Sequence, residues 1–205
     1  IDDIEIKVAS IVQAPFLESF ESGWNSWSSE RGVWQVGEPS SGPSSAFSGT
    51  SLVGTNLSGD YPYRTDSQLH SPVIQLPQVG DSERLVLEFM QWFEYAAPFD
   101  TRYRDHEHPS TDGGDVRIKV YEDGAWGEWI VVRSHIAFEN GQMWSRGKAD
   151  LTAYSGQIIR LGFYHQEDTE YQAKYDNDEH FEACGWYIDD IEIKVASIVQ
   201  APFLE

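Results

Sequence analysis

The chain has 205 residues, and its 34 Asp and Glu outweigh 14 Lys and Arg to leave a formal charge of −20 at neutral pH. So acidic a surface repels nucleic acid and anionic membranes and favours cations, and no apolar run reaches the roughly 18 residues that cross a bilayer. Cys184 is the only cysteine, which excludes a disulfide within the chain; its neighbours Ala183, Gly185 and Trp186 suit a small buried side chain.

In chain order the first feature is a repeat. Residues 1–18 read IDDIEIKVASIVQAPFLE, and residues 188–205 repeat it letter for letter, at an offset of 187. Eighteen identities in a row are a duplication, by evolution or by design, and a fixed period is the signature of a tandem array. Residues 1–8 are then read as the closing strand of a preceding copy, 9–17 as the junction between copies, 18–195 as the domain, and 196–205 as the junction again. The junction is apolar with one Pro and no Gly, unlike a flexible spacer. Ile4, Ile6, Val8, Ile11, Val12, Phe16 and Leu17 are therefore expected to be buried between neighbouring copies, at about 1.5–3 kcal/mol each. An array would be a stiff rod or assemble by strand complementation.

Residues 40–51 are rich in Ser, Gly and Pro and read as a loop, with short strands expected over 51–55 and 68–76. Residues 85–95 (LVLEFMQWFEY) place Leu85, Leu87, Phe89, Phe93 and Tyr95 on one side of a strand, interrupted by Gln91. Residues 98–115 form a long charged loop. Val116, Ile118 and Val120 alternate with Arg117, Lys119 and Tyr121, and Asp123-Gly124 supplies a hairpin turn into a strand over 126–132. Residues 158–164 and 186–195 are two further strands. No segment keeps a 3.6-residue apolar period, so helix should be scarce, and short strands between turns read as a two-sheet sandwich.

The chemistry-bearing residues lie at the two ends of the unit. In the last strand, period two puts Tyr187, Asp189, Ile191 and Ile193 on one apolar face, so Asp189 points toward the core. A buried carboxylate is costly unless paired or metal-bound. No Lys or Arg adjoins it, so a hard cation is the simplest partner. Glu21 follows Phe20 in the first strand, and calcium takes six to eight oxygens from carboxylates and carbonyls.

The opening FESGW, GTSLVGT, SQLHSPVIQLP, the strand LVLEFMQWFEY, DLTAYSGQIIRLGFY and the closing GWYIDDIEI occur in one order over residues 18–195. That order resembles the bacterial MAM-like domains of the immune-inhibitor-A and anchored-surface-protein type. The two ends are also similar to the calcium-stapled jelly rolls of several carbohydrate-binding modules. The resemblance implies a jelly-roll fold, with structural calcium at Glu21 and Asp189 and with Asp190 as a further ligand. The peptidase part of immune inhibitor A carries a zinc-binding HExxH helix. Here His106-Glu107-His108 has the wrong spacing, so the resemblance is to the accessory domain.

His106, His108, Asp112 and Asp115 could form a second metal site or simply a solvated acidic loop. Trp24, Trp34, Trp92 and Trp186 sit in strand-like contexts and are expected in the core, whereas Trp126 and Trp129, beside a hairpin turn, are candidate ligand-binding platforms. No nucleophile elbow or catalytic carboxylate pair is present. The expectation is an all-β, jelly-roll β-sandwich of two antiparallel sheets. It would be non-catalytic, secreted or cell-surface, calcium-stabilised, and repeated along an adhesin or fibre whose partners are adjacent copies. The alternative is a carbohydrate-binding module, or an accessory domain of a secreted hydrolase, with glycans as partners and exposed aromatics as its mark.

Overall fold

Alternating burial sorts the chain into strands. The computed structural model describes residues 11–62, 65–95, 112–134, 141–167 and 183–198. Their strands are β1 (Ile11–Gln13), β2 (Phe16–Glu18), β3 (Ser28–Glu30), β4 (Gln35–Gly37), β5 (Leu52–Gly54), β6 (Asp66–His70) and β7 (Val73–Gln75). There follow β8 (Glu83–Glu94), β9 (Gly113–Glu122), β10 (Ala125–Trp126), β11 (Ile130–Arg133), β12 (Gly141–Asp150), β13 (Ile158–Gln166) and β14 (Gly185–Ser197). The helical content among these residues is one 3-10 turn, Thr152–Tyr154.

Two sheets result. In the eight-stranded sheet β13 is central: β6 and β7 pair with one side of it and β9 with the other, β3 adds to β6, β1 to β7, and β10 and β11 to β9. The six-stranded sheet runs β12-β8-β14-β5-β4, with β2 also on β14. Every pairing is antiparallel except β1 with β7. The architecture is the β-sandwich that the alternation predicts.

The sheets face each other through their period-two apolar sides. Phe89 of β8, Phe163 of β13 and Trp186 of β14 meet edge-to-face with centroids 5.2–6.4 Å apart, and Phe20 and Trp27 extend the cluster. Such pairs add about 0.5–1.5 kcal/mol each beyond the area they bury. Trp34 and Trp92 are buried as expected, but Trp24 is 37% exposed. It lies in a tight turn whose Asn25 and Ser26 have positive φ, outside any strand.

Three expectations change. The strand over 68–76 is two strands, because Ser71-Pro72 breaks it; the Ser71 hydroxyl instead accepts the Leu161 amide and donates to the Pro72 carbonyl. β12 had no apolar alternation to reveal it: its inward residues are Gly147 and Ala149, and a side chain at Gly147 would strike the Phe89 ring. The third is the junction read over 9–17, which is used inside this domain from Ile11 onward. Backbone groups of β1 and β2 gain hydrogen-bonded partners in β7 and β14. Val12 and Phe16 are half-buried, with Phe16 packed on the core, whereas Ile11 and Leu17 are 49% and 63% exposed. Ile4, Ile6 and Val8 lie outside the described residues. Residues 188–195, the second copy of the repeated segment, fall within β14.

Candidate functional site

The outer face of the eight-stranded sheet follows from the inner one. With Val116 and Ile118 of β9 and Ile159, Leu161 and Phe163 of β13 turned into the core, Arg117, Lys119 and Tyr121 of β9 and Arg160, Gly162 and Tyr164 of β13 must face outward. The register places Lys119 directly opposite Arg160, and Arg117 opposite Gly162.

The Asp123-Gly124 turn, both residues at positive φ, is the two-residue hairpin expected from the sequence and returns the chain as β10. Trp126 closes β10 and Trp129 stands in the loop 127–129, which splits the strand expected over 126–132 into β10 and β11; both rings lie back over this face, half-buried. The Lys119 ammonium sits between their rings, 5.3 Å from the Trp126 centroid and 4.8 Å from that of Trp129. Arg160 lies 5.6 Å over Trp126, and Arg117 stacks 3.6 Å over Tyr164. Tyr121 packs edge-on to Trp126, and His70 of β6 lies 5.3 Å from Trp129. Gly162 leaves the depression that Trp129 occupies, since a Cβ there would come within 2.9 Å of the Trp129 ring. Trp126 also borders an open groove of about 480 Å³, walled by Glu122, Asp123, Glu128, Tyr154 and Gln157.

Glu21, Asp189 and Asp190 all act on one turn, residues 47–51. Glu21 accepts the amides of Thr50 and Ser51 at 2.9 and 2.7 Å and the Thr50 hydroxyl at 3.2 Å, contacts that hold its carboxyl below the usual range. Gly49, just before them, has φ 60°, and its missing side chain makes room for the Glu21 carboxylate. From the other side, Asp189 accepts the Ser48 amide at 3.0 Å and the Asp190 amide at 2.8 Å, while Asp190 accepts the Ser48 hydroxyl at 2.9 Å. Asp189 is fully buried, and burial pushes its carboxyl up to about 6.

Among the described residues no Lys or Arg pairs with Asp189, and no three acidic, His or Cys side chains converge on one point. Carboxylate oxygens are the ligands calcium takes, and Glu21, Asp189 and Asp190 would be the residues to hold an ion here, their oxygens already accepting amides and hydroxyls around the 47–51 turn. Glu18, which sequence reasoning passed over, supports the same corner by accepting the Phe20 amide at 2.8 Å and the Asn25 side-chain amide at 3.2 Å.

In the other candidate metal set, Asp112 accepts the Tyr61 hydroxyl at 2.6 Å and Asp115 pairs with Arg117 at 2.9 Å. His106 and His108 lie outside the described residues.

No family model matches the chain. It is 30% identical over 192 residues to bacillopeptidase F of Bacillus subtilis (strain 168), an alignment that takes in 93% of this chain and 11% of that protein. Among solved structures it is similar to the C-terminal family 22 carbohydrate binding module of Clostridium thermocellum Xyn10B, with a TM-score of 0.50 at 14% identity over 90% of this chain and 96% of the module. A xylan-binding domain of the same family number scores 0.48 at 13% identity over 91% and 96%. At such identity the first likeness shows the fold, a jelly-roll-like sandwich. It is a likeness to carbohydrate-binding modules, the second of the two resemblances read from the chain's ends.

Among the described residues no helix is long and apolar enough to cross a membrane. The site residues missed in the sequence, Arg160, Tyr164 and His70, carry no local signal; only the β6-β13-β9 register gathers them beside Lys119.

Proposed function

We propose that this domain is a non-catalytic accessory module of a larger extracellular protein of hydrolase type, and that it holds glycan chains on the outer face of its eight-stranded sheet. The observation that carries this reading is the pair Trp126 and Trp129 standing around Lys119 on a face otherwise lined by Tyr121, Tyr164, Arg117 and Arg160. Flat apolar rings take the C–H face of a pyranose, and the polar groups between them hydrogen-bond its hydroxyls; concave sites with a few placed polar groups are how such ligands are fixed. The module-like fold supports it, and so does the alignment to one small portion of a much larger peptidase. This reading was the alternative to the adhesin or fibre, and it is now the better supported of the two.

The duplicated 18 residues favour a second property, recurrence of the domain in tandem. Tandem glycan sites would raise avidity without any new contact. Calcium at Glu21 and Asp189 belongs to the same proposal, as a staple between the closing strand and the 47–51 turn rather than as a reagent.

Affinity electrophoresis against a panel of plant and bacterial polysaccharides tests the glycan reading. Trp126→Ala and Trp129→Ala should each weaken the retained ligand by about tenfold, roughly 1.4 kcal/mol. Migration unaffected by every polysaccharide would remove glycan binding and leave only the accessory-domain reading.

A further inference from the structure

We infer that the glycan taken by this face is anionic, a pyranose chain bearing carboxylate or sulfate groups; the inference rests on the glycan reading above and adds its charge.

The chain has more than twice as many acids as bases, so its cations should find carboxylates easily. Most of the described ones do. Arg31 pairs with Asp66 and Arg117 with Asp115, and Arg146, Lys148 and Lys194 all reach Glu88. Four do not: Arg84 and Arg133 reach backbone carbonyls instead, and Lys119 and Arg160 have neither. Among the described residues neither has a carboxylate within ion-pair distance, and they stand directly opposite each other on neighbouring strands. Like charges placed so are destabilising. Glu30 of β3 approaches this face, 3.4 Å from His70, and its charge partly offsets that of Lys119 without pairing with it. Two cations side by side, without an ion-pair partner among the described residues, on the aromatic face of a protein of charge −20 are a local reversal of sign, and that is the arrangement an anion needs.

A second observation is independent of charge. On the same face Nε of Arg160 and Nε2 of Gln68 are buried without a hydrogen-bond partner. Both are donors. A carboxylate or sulfate offers acceptors alone, whereas each neutral sugar hydroxyl also brings a donor that nothing here receives. The groove bordered by Trp126, walled by Glu122, Asp123 and Glu128, repels an anion and so leaves it to the face that Lys119 and Arg160 occupy. Burial and the neighbouring Arg160 lower the Lys119 ammonium from its usual range, outweighing the opposite pull of Glu30.

Calorimetric titration with polygalacturonate, dextran sulfate and neutral xylan reads the charge, and the first two separate carboxylate from sulfate. Binding of at least one anionic polymer should exceed that of xylan by about tenfold or more, and Lys119→Gln and Arg160→Gln should each cost that ligand about tenfold, a clearly larger loss than the same variants cost xylan. Arg160→Lys, which keeps the charge, should retain most of the affinity. If the Gln variants do not fold, a salt titration of the unaltered domain decides: affinity for the anionic polymer should fall steeply between 0.05 and 1 M salt as the screening length shrinks to about 3 Å. Equal affinity for xylan and the anionic polymers, or salt-independent binding, overturns this inference and spares the glycan reading. No binding to any of the three overturns this inference and counts against the glycan reading as well.

Discussion

The buried Asp189 carboxylate accepts the Ser48 amide at 3.0 Å, tying the closing strand to a turn 141 residues earlier in the chain. Asp189→Ala should cost about 1–3 kcal/mol by orphaning that half-buried amide. A calcium ion at Asp189 and Glu21, as proposed, would add to this by mass action, because it would bind the native state alone. Chelator should then lower the melting temperature of the unaltered domain but not that of Asp189→Ala. An unaltered domain that melts identically with and without chelator has no ion here, only the hydrogen bonds.

His165 is fully buried, with Tyr95 and Thr65 hydroxyls 3.1 Å from its two ring nitrogens. Burial holds its imidazole down at about 3, so in the unfolded chain it takes a proton near pH 6.5 that the native state refuses. Its stabilising contribution is therefore complete above about pH 6.5 and is lost as pH falls from there toward 3. His165→Phe keeps a ring against Tyr95 but cannot titrate. Urea unfolding at pH 7 should show the variant weaker by about 1–3 kcal/mol, and at pH 4 the gap should close; an equal gap at both pH values would contradict the assignment.

Gly162→Ala should press on Gln68 and push the Trp129 ring off the sheet. Glycan affinity should drop several-fold, with a change in tryptophan fluorescence. Gly114→Ala, on the inner face of β9, instead meets the Trp186 ring at 2.7 Å. It should cost about 1–3 kcal/mol of stability and leave binding intact. Reversed outcomes for the two glycines would mean that the faces are misassigned.

Phe163 touches Trp27, Phe89 and Trp186 at the centre of the core. Phe163→Ala should destabilise the domain by about 3–5 kcal/mol, measured by thermal or denaturant unfolding. A loss under about 1 kcal/mol would place the main core elsewhere.

Where one face of a strand is apolar and the other polar, as in β8, β9 and β13, the alternation was legible and the strands are found there. β14 was found too, but its first half is buried on both faces. A bulge at Asp189–Glu192, with Asp190 at positive φ, turns Tyr187 and Asp189 to the face opposite Ile191 and Ile193 instead of the one face that a plain period of two predicts. β12 escaped because an aromatic on its neighbour demands Gly147 and Ala149 on its inner side, and small residues leave no apolar period. β1 and β2 were hidden for the opposite reason: Ile11, Val12, Phe16 and Leu17 look like an interface when their hydrogen-bonding partners, β7 and β14, lie some 60 and 175 residues away. The site divided in the same way. Trp126 and Trp129 could be singled out from their turn, but the opposition of Lys119 and Arg160 exists only once a register is set. Glu21 and Asp189 stood out at the chain's ends, while the turn they share, 47–51, looked like any Ser/Gly loop.

β2 and β14 are antiparallel neighbours, with Phe16 level with Ile193 and Glu18 with Ile191. Two residues upstream of β2, β1 already lies along β7 in the other sheet, so the chain stitches both sheets before it reaches its closing strand. Tension from the N-terminal side would have to peel the parallel β1–β7 contact before it could open the β2–β14 seam like a zipper, one hydrogen bond at a time. The tryptophan-bearing hairpin on the eight-stranded sheet would keep its shape while its tether gave way.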